Sequence, residues 1–152
     1  TMFERTNRLV ANLLKANNLS ELVQSLYDSL GKDYGIEAYS LTLLGTAEDF
    51  PKSIARISTP DIAKQEVPSV LSSTNATCGR LSASEMNFLF GDSLNIVGSA
   101  AVVILRSKGN LGILALGNSD SEYYTNDMGT IFIDYIAEII SLILPNYLHV
   151  QN

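Results

Sequence analysis

The sequence predicts one α+β domain: a central antiparallel sheet with the N- and C-terminal helices packed on one face. Three observations carry this. "IEAYSLTLL" (36–44) alternates with period two. Two apolar runs, "VGSAAVVIL" and "LGILALG", flank "RSKGN" in the manner of a β-hairpin. Helical patterns occupy both chain ends, and terminal helices around hairpin-linked strands fit a layered α+β arrangement.

Each element follows from local chemistry. Phe3, Thr6, Val10 and Leu13 form a short heptad-like stripe, marginal by itself and expected to seal against a second copy or the domain. Ser20 has the form of an N-cap, the face Leu22, Val23, Leu26, Tyr27 and Leu30 follows, and Gly31 is the expected stop. After strand 36–44, "SIARIS" (53–58) reads as a weaker strand. Thr59-Pro60-Asp61 supplies a cap, an N1 proline and an acidic first turn, and Pro68 breaks or restarts that helix. "LSSTNAT" (71–77) reads as a loop. Ser82 and Glu85 fit a capping box before the apolar face Met86, Leu89 and Phe90, with Gly91 at the exit. Thr125 is the expected cap of the last helix, with Asp127 in its first turn and Pro145 as stop or kink. The division expected is a helical segment over 1–18, the end of a longer upstream region and a dimer seam, and a domain over 19–152.

Composition narrows function by exclusion. The chain has 152 residues, 46% apolar, enough for one core. Only 17% are charged, so part of the surface is expected to be covered by a partner. Net charge is −6, and the ten basic residues are scattered. Direct nucleic-acid binding needs clustered cations to displace counterions, so it is disfavoured, as is docking on an acidic membrane. "IFIDYIAEIISLIL" is shorter than a membrane span and holds Asp134 and Glu138. A single cysteine and the charged start "TMFERTNRL" point to a cytoplasmic protein.

Candidate chemistry centres on "TCGRLSASEMNFLFG" (77–91). Cys78 lacks a partner set, since the one histidine, His149, is at the far C-terminus; a small core residue is the plainer reading. Arg80 before a helix N-terminus forms an anion-attracting corner, pairs with Glu85 or Asp120, or lies in solvent. The small side chains of "GSAA" (98–101) leave space for a ligand or for a closely packed element, the second being commoner. Gly129 argues for close approach in the same way. Of Tyr123 and Tyr124, at least one is expected to pack. No metal-ligand spacing and no phosphate-cradling loop is present. No catalytic residue emerges, so a non-enzyme is expected.

The stretches "CGRL", "FLFG", "VGSAAVVIL", "GILALGNSD" and "MGTIFIDYIAEII" resemble, in order and spacing, DUF484, a bacterial family of unknown function with a GAF-like domain. The resemblance covers nearly all of the chain. It departs at Tyr123–Asn126, where a more basic, proline-containing start is usual, and at Leu44, where a bulkier aromatic is. It implies a PAS/GAF-type antiparallel sheet, its first and last helices on one face and its cross-connections on the other. It also implies a regulatory or sensory role, with a small molecule held between sheet and cross-connections, and pairing into a homodimer through the terminal helices. Cys78, Arg80, Ser99 and Ala101 are the wall or anchor positions expected for a closed apolar pocket on the face away from those helices. The ligand and any cofactor are unspecified: the Asn-Lys…Phe…Asp-Glu pattern of cyclic-nucleotide-binding GAF domains is missing, as are the several cysteines of GAF-type methionine sulfoxide reductases. The alternative is a dimerisation or scaffolding module without a ligand.

Overall fold

A computed structural model describes residues 2–91, 97–125 and 130–149. Helix α1 spans Met2–Leu14 and α2 spans Leu19–Asp28, continuing into a π-helical turn at Ser29–Asp33. Strand β1 (Ala38–Leu44) and β2 (Arg56–Ser58) precede the short helices α3 (Pro60–Glu66) and α4 (Pro68–Ser72). Strand β3 (Thr77–Gly79) leads to α5 (Ala83–Phe90). The hairpin β4 (Ser99–Arg106) and β5 (Asn110–Asn118) precedes α6 (Thr130–Ile143).

The caps behave as local chemistry dictates. Thr59 Oγ1 accepts from the Ile62 amide at 3.3 Å. At α5 the capping box closes: Ser82 Oγ accepts from the Glu85 amide at 3.2 Å, and Glu85 Oε1 accepts from the Ser82 amide at 2.9 Å. Gly91 then leaves the helix at φ +57°, a conformation that favours glycine. At α2 the cap is Asn18, not Ser20: its Oδ1 accepts from the Glu21 amide at 2.9 Å. Gly31 does not end that helix but lies within the π-helical turn, and Gly35, at φ +64°, turns the chain after it. Thr125 Oγ1 donates to the Glu122 carbonyl in the preceding turn at 2.8 Å. The expected first-turn residue Asp127 and Gly129 lie outside the described residues. Pro145 falls in a 3-10 turn, Leu144–Tyr147, that follows α6.

The sheet order is β2-β1-β5-β4-β3. The pairs β1–β5, β5–β4 and β4–β3 are antiparallel, as expected. The edge pair β1–β2 is parallel, which corrects a wholly antiparallel sheet. The connection over 45–55 is long enough to carry the chain back before it pairs, which a hairpin turn cannot do. Strand β3 replaces the end of the expected 71–77 loop and makes the opposite edge.

Both faces are covered. The proximal face presents Leu41, Leu43, Ala101, Val103, Leu114 and Leu116 to α1, α2 and α6. The seam of α1 runs through Leu9 and Leu13, joined by Ala16, all in that same core. Of the heptad-like stripe, Thr6 and Leu13 are buried and Val10 is partly so, and α1 packs on the sheet through Leu9 and Leu13. The distal face is made of smaller side chains, with Ala38, Ala100, Val102 and Ala115 beneath α3, α4 and α5. Small residues on that face let short helices lie close to the sheet.

Candidate functional site

Strand β1 places Ser40 and Thr42 on the distal face with Ala38, because alternate side chains share a face. Ser40 Oγ donates to the Leu89 carbonyl at 2.6 Å and ties α5 to the strand. Thr42 is as deeply buried, at 2% exposure. Its Oγ1 has no hydrogen-bond partner. A buried hydroxyl left unpaired costs stability, so its position calls for a reason.

Thr42 is in register with Arg56 on β2, and Leu44 with Ser58. Paired residues project to the same side, so Arg56 and Ser58 share the distal face with Thr42. This face is open at the β2 edge, beside α3 and α5. The result is an open groove of about 750 Å³ lined by Thr42, Thr46, Arg56, Ser58, Thr59, Ile62, Asn87 and Phe88 among others. That volume is in the range of small-molecule sites.

The groove's polar atoms are unevenly committed. Ser58 Oγ donates to the Thr59 carbonyl at 3.0 Å. Thr46 Oγ1 donates to Asp49 Oδ2 at 2.8 Å, and the Thr46 amide donates to the same oxygen at 3.0 Å. These bonds hold the Asp49 carboxyl below its ordinary range, the backbone bond contributing most. Thr59 Oγ1 accepts from an amide, which leaves its proton free to donate. Arg56 has no hydrogen-bond or carboxylate partner among the described residues. Its guanidinium lies over Gly91, where a Cβ would come 2.8 Å from Nη1. A second groove of about 410 Å³, between α1 and α2, is lined by charges of both signs, Arg8, Lys15, Lys32, Asp28 and Asp33 included. There Arg8 already bonds Asp33 at 3.2 Å, so its charge is met within the protein.

The four residues singled out from sequence lie elsewhere. Cys78 pairs in register with Ala101 between β3 and β4. Both belong with the proximal core under the terminal helices, not on the distal face. Ser99 is fully buried, with Oγ donating to the Asp120 carbonyl at 2.7 Å and accepting from the Tyr124 amide at 3.1 Å. Arg80 donates through Nε to the Ser121 carbonyl at 3.2 Å and pairs with Glu122, rather than with Glu85 or Asp120. The four thus cluster near the turn after β5. The space beside Gly98 is filled by that turn: a Cβ there would lie 2.4 Å from the Ser119 carbonyl oxygen. The distal face carries an open groove with a partly polar lining. Of the tyrosine pair, Tyr124 is buried and Tyr123 exposed, edge to face at 4.7 Å.

Among the described residues, no group of His, Cys, Asp and Glu is placed to hold a metal ion, and no helix is long and apolar enough to cross a membrane. The period-two alternation of "YSLTLL" places Ser40 and Thr42 on one face, which the structure buries.

The sequence matches the family described as "Protein of unknown function, DUF484" over residues 1–149. No match was found among curated proteins. The structure is similar to the crystal structure of the GAF domain from Acinetobacter phosphoenolpyruvate-protein phosphotransferase, with a TM-score of 0.65 at 12% identity. The likeness covers 95% of this chain and 93% of that one, and at this identity it speaks to the fold.

Proposed function

Because the chain belongs to the DUF484 family and has a GAF fold, we propose that it is a non-catalytic regulatory or sensory domain that binds a small molecule in the groove between β1, β2, α3 and α5. The observation that carries this reading is Thr42 Oγ1, a buried hydroxyl without a partner on the groove wall. A ligand would give it one. We place the ligand here rather than at Cys78, Arg80, Ser99 and Ala101, because Ser99 and Arg80 already have protein partners. The test is a screen of small metabolites against the isotope-labelled protein, read by amide chemical shifts. A ligand that moves the signals of Thr42, Arg56 and Phe88 together supports the reading. A screen in which every shift maps to other surfaces defeats it.

A second reading, self-association, is favoured by one separate observation. Ile131, Tyr135 and Leu142 project along one face of α6 and are 80%, 52% and 75% exposed. Such a stripe costs solubility unless covered. A homodimer in the cytoplasm through this helix is compatible with ligand binding on the opposite side of the sheet. Light scattering of the protein and of its Leu142→Glu variant decides: a dimer that the variant dissociates supports the reading, and a monomer in both cases removes it.

A further inference from the structure

We infer that the groove's ligand is a small organic carboxylate with an apolar body, its carboxyl group held by Arg56 and Thr42. This rests on the groove being the binding site and adds the class of ligand it takes.

The charge of the lining is the first argument. The chain carries 16 Asp and Glu against 10 Lys and Arg. Yet, among the described residues, the groove's lining includes Arg56 and no carboxylate. Glu48 and Asp61 adjoin the lining residues Ala47 and Ile62 in sequence without being part of the lining, and Asp49 has its Oδ2 turned to the Thr46 amide and hydroxyl. Among the described residues that line the groove, an incoming anion therefore meets one cation and no carboxylate.

The commitments of three other arginines are the second; the fourth, Arg5, is exposed on α1, away from the groove. Arg8 bonds Asp33, Arg80 bonds Glu122 and the Ser121 carbonyl, and Arg106 bonds the Leu71 and Ser73 carbonyls at 3.0 and 2.9 Å. Arg56 has no such partner among the described residues. The absence of a side chain at Gly91 lets the guanidinium lie against the end of α5. A guanidinium left without an acceptor is a fork suited to a planar oxyanion.

Third, the donors converge. Thr42 and Arg56 are register partners on one face, and the Thr42 hydroxyl is buried and unpaired. Thr59, whose Oγ1 accepts from the Ile62 amide and keeps its own proton to donate, belongs to the same lining. One guanidinium and two hydroxyls suit a single negative charge. A phosphate dianion would leave charge unmatched. Ile62 and Phe88 supply the apolar part of the wall, so the body of the ligand is aliphatic or aromatic rather than polyhydroxylated.

The experiment uses isovalerate and phenylacetate, their neutral amides isovaleramide and phenylacetamide, and phenyl phosphate, each titrated into the labelled protein. Expected are saturable shifts at Thr42, Arg56–Thr59 and Phe88 with the carboxylates, and binding of the amides weaker by at least about tenfold, the size of a charge-assisted pair. Arg56→Gln should erase that difference, and Arg56→Lys, which keeps the charge but loses the fork, should lie between. Thr42→Val should weaken carboxylate binding several-fold. Acids and amides binding alike at the groove would overturn the carboxylate inference and leave the groove as the ligand site. Phenyl phosphate binding at least about tenfold better than phenylacetate would overturn it in favour of a phosphoryl ligand. Shifts from none of the five probes at the groove would overturn this inference, while the broader metabolite screen still decides the groove itself.

Discussion

Ser99 Oγ accepts a hydrogen bond from the Tyr124 amide at 3.1 Å, which stitches the first residue of β4 to the turn that follows β5. The same oxygen donates to the Asp120 carbonyl at 2.7 Å. One buried hydroxyl thus satisfies two backbone groups that the sheet does not reach.

Replacing Ser99 by alanine leaves both groups without that partner. The expected loss is about 2–3 kcal/mol, since each unsatisfied buried group costs about 1–3 kcal/mol and some relaxation follows. Urea unfolding should show a lower midpoint at unchanged slope. A loss below about 0.5 kcal/mol would mean that the turn is held by other contacts.

The turn also explains Gly98. A Cβ there would meet the Ser119 carbonyl oxygen at 2.4 Å and the Ser121 nitrogen at 2.9 Å, both backbone atoms that cannot step aside. Gly98→Ala should cost about 2–3 kcal/mol or more through overpacking. Gly109, in the β4–β5 turn, has nothing within 4 Å of its would-be Cβ. Gly109→Ala should fall within about 0.5 kcal/mol of the parent, which makes it the control for the same chemical change. Similar losses at both sites would show that backbone freedom, not space, decides.

How far the fold was readable follows from which signals are local. The Ser82–Glu85 capping box, Pro60 after Thr59, and the hairpin glycines each act within a few residues, and each is where local chemistry puts it. Strand β3 was hidden because Thr77–Gly79 is three residues long, half-buried and without alternation. The direction of β2 was hidden because it depends on the path of 45–55, not on the strand itself. The α2 cap shifted from Ser20 to Asn18 because two capping side chains stand two residues apart and either can begin a helix. The groove was least legible of all. Thr42, Arg56 and Phe88 come from three elements, and only pairing register brings the first two together.

Stability should depend on pH at the alkaline end. Burial raises the Tyr27 hydroxyl above its ordinary 10.0, against the smaller opposing effects of the Leu41 amide bond and the Arg56 charge. Burial also raises Tyr124, assisted by the charges of Tyr123, Cys78 and Glu37. Above pH 10 the unfolded chain loses these protons while the native state keeps them. The native state then binds more protons, and stability falls as pH rises. The contribution is fully present below the unfolded value and is lost as pH climbs through the folded ones. Urea unfolding between about pH 8 and about pH 11 should show this decline, and a Tyr27→Phe, Tyr124→Phe double variant should flatten it. A decline of equal slope in the double variant would assign it to other groups.

Ser40 and Thr42 offer a paired test, because they sit on one face of one strand, both buried, with opposite commitments. Ser40 Oγ donates to the Leu89 carbonyl at 2.6 Å, so Ser40→Ala removes a bond and leaves a carbonyl short of one donor. A loss of about 1–2 kcal/mol is expected. Thr42 Oγ1 has no partner, so Thr42→Val exchanges a desolvated hydroxyl for a methyl group of nearly the same shape. In ligand-free protein this change should be neutral or stabilise by about 1 kcal/mol, the reverse of the usual effect of altering a buried residue. Natural sequences retain such a cost where the group does something besides hold the fold. The two free energies, from parallel urea titrations, therefore carry a sign as well as a size. If Thr42→Val destabilises as much as Ser40→Ala, the hydroxyl has a partner in solution and its claim as the groove's waiting donor is lost. If the signs oppose, the fold is carrying at position 42 a hydroxyl that does nothing for its own stability.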